Sequence, residues 1–337
     1  MTPKVSIIIV SWNTRELLRQ CLRSVYDETH DVAFEIFVVD NASKDGTPEM
    51  VEAEFKGVLL LRNHENLGFA RANNQAIRKS TGKYALLLNP DTVILGDVLG
   101  RMINVMDRRP RVGMSTCTMF NPDMTFQACF ATFPTFGMVL LGGSTPTVAL
   151  QSLFLTKRFF KTAGYRPKVY EQPNRVDWIM GAFMMVRREA ISEAGLLDEN
   201  LFMYGEEPDW CYRMARLGWE IWYYPEKGVI HYGGQSTKQR PLKDEVSWLM
   251  TSQYRFFGKH RGQAYLTSCF VVGVVGSALK LVLFLILKHV PLGAQHRAYA
   301  ARKVAFFREV LKWHASNPIS SLMSSARVAT NGVEHSP

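Results

Sequence analysis

Acidic and amide side chains follow two of the apolar segments, where they could bind a nucleotide and a metal ion. Asp40 ends the apolar segment 34–39, and Asn89 and Asp91 follow 84–88. A carboxylate at the first place can accept hydrogen bonds from a base or a ribose. At the second place, next to a phosphate, it is a hard oxygen ligand for Mg²⁺ or Mn²⁺. Taken alone, each segment is equally typical of an ordinary turn between a strand and a helix.

A third chemical signal is the acidic segment 204–210, which carries three acids within four residues, Glu206, Glu207 and Asp209. Neighbouring like charges repel, so at least one of these acids should have a raised pKa, as suits a general base. The competing interpretation is the acidic first turn of a helix, which the helix dipole favours. We expect Pro208 to begin that helix, with Glu207 just before it at the mouth of a cleft.

Two further segments carry weaker signals. Segment 66–74 opens a helix with a glycine and several amides, and together with Arg71 it makes a plausible anion site. A capped surface helix is the competing interpretation. His231 is followed by Gly233 and Gly234, which would let a loop close over a ligand, although a lone histidine is more often structural.

Alternating strands and helices must position these residues. Buried strands are predicted at 5–10, 34–39, 58–61 and 84–88, with amphipathic helices at 14–26, 47–55 and 68–81. Such alternation predicts a mostly parallel sheet, which binds ligands at the carboxyl ends of its strands. Beyond a loop-rich stretch at 120–176, we expect strands at 179–186 and 220–224, helices at 188–194 and 208–217, and helical structure throughout 245–314.

Composition narrows the class of protein. The 337 residues are 47% hydrophobic and 21% charged, which excludes a mostly disordered chain. A single stretch is apolar for long enough to cross a bilayer, which excludes a polytopic membrane protein. The five cysteines form no C-x-x-C pair, so we expect no zinc ribbon or disulfide framework, and their odd number suits a reducing cytosol.

The net charge of +10 is concentrated near the C-terminus. Residues 255–312 hold ten Lys and Arg against one acid, a net +9, so the rest of the chain is close to neutral. Segment 265–287 carries one charge, Lys280, and either spans a membrane or lies in its interface. The alternative is a bundle of helices packed on the preceding part of the chain. Arg297–Lys312 is typical of a basic amphipathic interfacial helix. These features favour anionic lipid over nucleic acid as a partner.

In their order and spacing, several segments resemble those of the family 2 inverting glycosyltransferases, which have the GT-A fold. The subgroup that they resemble includes bacterial rhamnosyltransferases of surface polysaccharides. The resemblance covers about residues 4–240 and rests on these segments: Val5–Asn13, Val38–Thr47, Asn66–Ala70, Leu88–Thr92, Gly181-Ala182, Glu206–Asp209 and His231–Ser236.

The resemblance implies a role for each candidate residue. Asp40 would contact the base or ribose, Trp12 and Asn13 would line the nucleotide pocket, and Arg71 with the Asn66–Phe69 loop, including Gly68, would hold the nucleobase or diphosphate. The metal, Mn²⁺ or Mg²⁺, would be bound by Asp91 and His231. Asn89 departs from the family motif, which has aspartate there, so the diphosphate must supply much of the coordination. Glu207 stands at the position of the catalytic aspartate, and either Glu207 or Asp209 would be the base.

The resemblance also implies an activity and a domain plan. An inverting transfer would move a sugar, by subgroup a rhamnose, from a dTDP- or UDP-sugar to a polysaccharide or lipid-linked acceptor. The enzyme would work at the cytoplasmic face of the inner membrane, bound peripherally or by one span. We expect a catalytic domain at 1–240, a helical membrane-associated region at 241–314 and a mobile tail at 315–337.

Two other functions stay open at this point. A nucleotidyltransferase also pairs a parallel sheet with an acidic metal site, but would carry a Gly-rich basic loop after the first strand, where Ser11–Thr14 stands. A non-catalytic binding protein of the same fold is the other, and the presence of Asp40, Asp91 and Glu207 argues against it.

Overall fold

The computed structural model describes residues 2–141, 168–234, 239–290 and 293–323. The described residues fall into two compact units. The first comprises residues up to Phe133, together with 168–234 and Gln239; the second comprises residues 134–141 and those from Arg240 onward. Beyond residue 323, the predicted tail lies outside the described residues.

The first unit is built from strands with helices between them. Its strands are β1 Val5–Ser11, β2 Phe34–Asp40, β3 Val58–Arg62, β4 Tyr84–Leu88, β5 Thr92–Ile94, β6 Val112–Phe120, β7 Phe126–Gln127, β8 Phe130–Ala131, β9 Asn174–Arg175, β10 Trp178–Ile179, β11 Phe183–Arg187 and β12 Glu220–His231. Its helices are α1 Arg15–Glu28, α2 Thr47–Glu54, α3 Gly68–Lys79, α4 Val98–Asp107, α6 Arg188–Ala194 and α7 Glu206–Arg216. In the second unit, the helices are α5 Phe136–Leu141, α8 Leu242–His260, α9 Gln263–Leu287 and α10 Ala294–Ser316.

The central sheet of the first unit is mixed. Its main path runs β3-β2-β1-β4-β11-β6-β12-β5. The first four strands are mutually parallel, as the alternation predicted, and β6 and β12 run in the same direction. Strands β11 and β5 run the opposite way. The sheet is therefore less uniformly parallel than we expected, because β11 is inserted between β4 and β6.

Two hydrophobic cores sandwich this sheet. Alternate residues of β1 point to opposite faces, so Ile7 belongs to one core and Ile8 to the other. Helices α1, α2 and α4 pack on the first face, and α3, α6 and α7 on the second. The central strands are apolar on both faces because both are covered.

Local predictions failed at several places in the chain. The single strand expected at 179–186 is two, because Trp178–Ile179 pairs with β8 while Phe183–Arg187 joins the main sheet. Strand β12 is much longer than 220–224 and passes through several irregularities in its pairing with β6. The C-terminal helical region is interrupted around Gly262 and Gly293, both of which have positive φ.

Candidate active site

The ends of four strands bring the residues predicted to bind the nucleotide and the metal to one edge of the sheet. Strands β1, β2 and β4 are parallel, and Ser11 lies directly opposite Asp40 in the register. Strand β12 also runs in this direction and ends at His231, opposite Thr92 of β5. The edge therefore collects the segments after Ser11, Asp40, Leu88 and His231, as predicted for a parallel sheet.

The loops after β1 and β2 are tied together by hydrogen bonds. Asn13 has a left-handed backbone, with φ of 51°. Its N–H donates to Ser43 Oγ at 2.9 Å, and its Oδ1 accepts from the Lys44 N–H at 2.8 Å. Trp12, the neighbouring pocket candidate, is half-buried. These bonds make the two loops one rigid rim at the strand edge.

The two carboxylate oxygens of Asp40 differ in their hydrogen bonding. Its Oδ2 accepts the Ser43 N–H at 3.0 Å, whereas Oδ1 is buried and has no hydrogen-bond partner among the described residues. Burial raises the pKa of this carboxyl above its ordinary value. A buried acceptor without a partner is uncommon. A donor from a base or a ribose would satisfy it.

The start of α3 is locked against the segment that precedes the acidic helix. Gly68 has φ of 80°, and a Cβ there would stand 2.3 Å from the Phe202 carbonyl oxygen. The Phe69 N–H donates to that same oxygen at 2.8 Å, and Asn66 Oδ1 accepts the Gly68 N–H at 3.0 Å. Only glycine fits this approach. The exposed Arg71 points its Nε to the Glu199 carbonyl at 3.2 Å.

Asp91 and His231 form the candidate metal pair. His231 Nε2 lies 3.3 Å from Asp91 Oδ1 and 3.4 Å from Asn89 Nδ2, and both Asp91 and His231 are largely buried. Within the described ranges, no further His, Cys, Asp or Glu completes a group of three. A cation at this place would therefore take its carboxylate and imidazole ligands from Asp91 and His231.

The contacts of Gln127 determine which nitrogen of the His231 ring carries a proton. Its Nε2 lies 3.0 Å from Asn121 Oδ1 and 3.4 Å from the His231 carbonyl, both acceptors, so its Oε1 must face the ring. His231 Nδ1 lies 2.8 Å from that Oε1 and therefore carries the proton. Nε2 then faces both the Asp91 carboxylate and the Asn89 amide nitrogen, with its lone pair on the side where a metal ion would be bound. This donor set fits a divalent cation.

The acidic helix starts earlier than the sequence indicated. Helix α7 begins at Glu206, not at Pro208, so Glu207 lies in its first turn. The preceding Tyr204 and Gly205 both have positive φ, at 68° and 84°. The expectation that Glu207 precedes the helix was wrong, because this left-handed pair turns the chain two residues sooner.

Glu207 and Asp209 have different surroundings. Glu207 Oε1 accepts the Gly181 N–H at 3.1 Å, and burial raises the pKa of this carboxyl while that N–H opposes the rise. Asp209 is only 2% exposed and accepts from Arg213 Nε at 2.9 Å. Arg213 also donates to the carbonyl of Leu196 at 2.7 Å. Asp209 therefore anchors the loop after α6.

A short backbone bridge connects Glu207 with the metal pair. Gly181 bonds Glu207, and the adjacent Ala182 carbonyl accepts the Asn89 N–H at 3.1 Å. Asn89 in turn lies beside His231. The break between β10 and β11 thus places a base candidate next to the strand edge that holds the donor candidates.

Glu206 is a buried acid to which the sequence analysis assigned no separate role. Its Oε2 has no hydrogen-bond partner among the described residues, and the residue is 2% exposed. Burial and then the neighbouring Glu207 raise the pKa of this carboxyl well above its ordinary value. Burial and the neighbouring carboxyl thus both oppose ionisation of Glu206.

Sequence reasoning missed the residues that support the site. Gln127 and Asn121 hold His231 from 104 and 110 positions away along the chain, a separation that no local pattern reveals. The Phe202 carbonyl oxygen accepts the Phe69 N–H at the start of α3, a backbone contact that the residue type does not reveal.

Comparison with known proteins identifies the family. The chain is 27% identical over 274 residues to N-acetylglucosaminyl-diphospho-decaprenol L-rhamnosyltransferase of Mycobacterium tuberculosis H37Rv, covering 78% of this chain and 87% of that one. It is 24% identical over 270 residues to rhamnosyltransferase WbbL of Escherichia coli K12, covering 76% and 94%.

A solved structure shares the fold. GalNAc-T7, solved with UDP, GalNAc and Mn²⁺, aligns with a TM-score of 0.52 and 17% identity, over 96% of this chain and 58% of that one. The expected α/β sandwich of GT-A type, with additional C-terminal helices, is confirmed. The model of the family described as glycosyl transferase family 2 matches residues 6–194, more than half of the chain. The protein is therefore a member of glycosyl transferase family 2.

Proposed function

We propose that this transferase moves a sugar from a nucleoside-diphosphate donor to a hydroxyl of a lipid-linked or polysaccharide acceptor, with inversion at the anomeric carbon. The observation that carries the proposal is the bridge Glu207–Gly181-Ala182–Asn89, which connects a carboxylate with raised pKa to Asn89, the residue that contacts His231. Membership of a sugar-transferring family favours this reaction over nucleotidyl transfer.

Glu207 is the proposed general base. Its Oε1 is held by the Gly181 N–H, so the carboxylate is oriented before the substrate arrives. It takes the proton of the acceptor hydroxyl while that oxygen attacks the anomeric carbon, and the nucleoside diphosphate departs from the opposite face. Because a single displacement occurs, the anomeric configuration inverts. Asp209, paired with Arg213, holds the loop after α6 and takes no proton.

Asp40 and the rim around it bind the nucleoside. The partnerless Asp40 Oδ1 accepts a hydrogen bond from the base or ribose, and the Trp12–Asn13 and Asn66–Phe69 loops enclose the same edge. Asp91 and His231 would hold Mn²⁺ or Mg²⁺, whose charge offsets the charge that develops on the leaving diphosphate. Arg71 adds a positive charge near the start of α3.

The proposed donor sugar is rhamnose carried on dTDP, with UDP as the alternative nucleotide. Two relatives that align over most of their own lengths are named rhamnosyltransferases. One of them is named for a diphospho-decaprenol acceptor, which supports a lipid-linked acceptor here. A lipid-linked substrate is consistent with a location on the cytoplasmic face of the inner membrane, and the apolar helix α9 supports membrane association.

The test is a binding panel followed by a transfer assay. The full chain is heated with dTDP-, UDP- and GDP-sugars, with and without Mn²⁺, and its unfolding midpoint is measured. We expect dTDP-rhamnose with Mn²⁺ to raise the midpoint most, and the metal-free arm to show little change. Release of dTDP in the presence of a polyprenyl-diphosphate-sugar acceptor then demonstrates transfer. If no nucleotide sugar shifts the midpoint under either condition, the proposal is wrong.

A further inference from the structure

Helix α9 exposes one continuous apolar face. Five large aliphatic side chains, spaced three or four residues apart, are each more than half exposed: Val271, Val275, Leu279, Val282 and Ile286. Residues with this spacing lie on the same side of a helix. We call these five residues the α9 stripe. No charge interrupts it, because Lys280 is directed to the ring of Phe307 on α10, with its Nζ 5.8 Å from the ring centroid.

The opposite face of α9 is made for close packing within the second unit. Its buried residues include the small Cys269, Gly273, Gly276 and Ser277. A Cβ at Gly273 would stand 2.3 Å from the Tyr254 hydroxyl of α8 and 3.3 Å from the His314 Nε2 of α10. The helix therefore packs these small residues closely against its neighbours, while the five aliphatic side chains of the stripe remain outside, unlike the surface of a water-soluble bundle.

Helix α10 runs antiparallel along α9. Phe284 contacts Tyr299 with ring centroids 6.0 Å apart, and near the other end Phe270 contacts His314 at 5.1 Å. Because Phe307 stacks on Phe284 and Gly273 meets His314, the stretch 307–314 lies beside the middle of α9. Lys312 belongs to this stretch, and its side chain is 71% exposed.

This pairing is incompatible with a simple transmembrane span. A bilayer centred on α9 would enclose the neighbouring stretch of α10 and place the exposed Arg308 and Lys312 in hydrocarbon. Ionised side chains facing lipid at that depth are strongly disfavoured. The length and hydropathy of α9 permit a span, but the charges on its packed partner do not.

We propose that the α9 stripe lies in the plane of an anionic bilayer and enters one leaflet only, with α10 outside the hydrocarbon core. The positive charges around α9 support an anionic bilayer as the partner of the stripe. Exposed cations stand at both ends of α9, Arg261 before it and Lys288 after it, and residues 255–312 carry a net +9. Cations at this density attract anionic headgroups, while the stripe buries aliphatic surface among acyl chains. The inference deepens the membrane location given under the proposed function.

The first test measures vesicle binding of the full chain. Leu279→Lys places a charge in the middle of the stripe, and Leu59→Lys makes the same change at a half-exposed leucine of β3 in the first unit. We expect Leu279→Lys to weaken affinity for phosphatidylglycerol-containing vesicles by roughly tenfold or more, since a buried leucine contributes at least that much. Leu59→Lys should bind as the unaltered chain does, and both variants should keep the Mn²⁺-dependent midpoint shift with nucleotide sugar.

The second test separates in-plane binding from a span. Arg261→Cys and Lys288→Cys mark the two ends of α9, and the five native cysteines are buried. Each chain is bound to sealed vesicles from outside and treated with a membrane-impermeant maleimide. In-plane binding leaves both ends labelled before detergent is added. A Lys288→Cys chain that reacts only after detergent overturns the inference in favour of a span.

Two further outcomes would also overturn it. If Leu279→Lys leaves vesicle binding intact but converts a dimer to a monomer in lipid-free solution, the stripe joins two copies of the chain. If neither Leu→Lys variant affects binding or oligomeric state, the stripe has no partner of either kind. A failure of nucleotide binding in the unaltered chain would reject the proposed function while leaving these vesicle results interpretable.

Discussion

The strand edge of the first unit and the α9 stripe of the second depart from the usual solubility pattern in opposite ways. At the strand edge, the carboxylate oxygen Asp40 Oδ1 is buried and has no hydrogen-bond partner in the described part of the chain. On α9, large aliphatic side chains such as Leu279, 67% exposed, face outward. Buried polar groups are normally paired, and exposed apolar patches normally bind something. We therefore interpret each departure as a surface for a ligand: the proposed nucleotide in one case and the proposed lipid bilayer in the other.

We expect the largest effect on turnover from a substitution at Glu207, the proposed general base. Glu207→Gln keeps the size of the side chain but cannot accept a proton, so kcat should fall by roughly 10²–10⁴-fold. Donor affinity, measured by calorimetry, should remain. The matched control is Asp209→Asn, which loses the charge that pairs with Arg213 and should lower the unfolding midpoint along with activity. A fully stable Asp209→Asn chain without turnover, beside an active Glu207→Gln chain, would reverse the two roles.

A second prediction concerns the metal pair. Asp91→Ala should weaken Mn²⁺-dependent binding of dTDP by more than ~100-fold, beyond the range typical of residues that only support a ligand. Titration calorimetry with and without Mn²⁺ measures the change. Asp97→Ala is a suitable control, because Asp97 caps α4 through the Gly100 N–H and has no contact with the pair. Equal affinity in the Asp91→Ala and unaltered chains would reject the metal assignment.

Gln127 offers a finer test of the same site. Gln127→Leu removes the acceptor for the His231 Nδ1 proton, so the ring can turn or change tautomer. We expect Mn²⁺ affinity to fall about 10–100-fold, the usual effect of losing such a supporting residue. Gln127→Glu retains an acceptor facing the ring but sets its other carboxylate oxygen against Asn121 Oδ1 and the His231 carbonyl, so it should recover only part of the affinity. If both variants bind Mn²⁺ normally in the presence of dTDP, His231 needs no such support.

The smallest expected effect is on stability, at Glu206. Burial raises the pKa of this carboxyl, so the folded chain binds its proton more tightly than the unfolded chain does. The resulting stability is full below the unfolded pKa and is lost as the pH rises through the folded pKa. Glu206→Gln should therefore raise the unfolding midpoint at pH 8 by about 2–4 °C, the shift that accompanies ~1 kcal/mol in a domain of this size. At pH 4 the midpoints should be nearly equal, and a lower midpoint at pH 8 would contradict the interpretation.

The first half of the first unit was predictable because its signals are local. Apolar runs such as Ile7–Val10 and the stripe of α1 determine strand and helix without reference to distant residues. Parallel alternation then brings the ends of β1, β2 and β4 to one edge, so the vicinity of Asn13 and Asp40 followed from the pattern. The later strands were harder, because β11 joins the sheet between β4 and β6, far from either in sequence order.

The sequence by itself determined which residue types are available to the reaction: Asp40, Asp91, His231 and the acids 206–209, in an order typical of the family. It also determined that one segment is apolar enough to enter a membrane. Only the tertiary structure decided how these residues act. Helix α7 begins two residues earlier than predicted, so that Glu207 accepts a hydrogen bond from Gly181 while Asp209 pairs with Arg213. Helix α10 packs beside α9. The physical reason is that a residue type sets what a side chain can bind, whereas contacts between distant segments set its burial, charge and orientation.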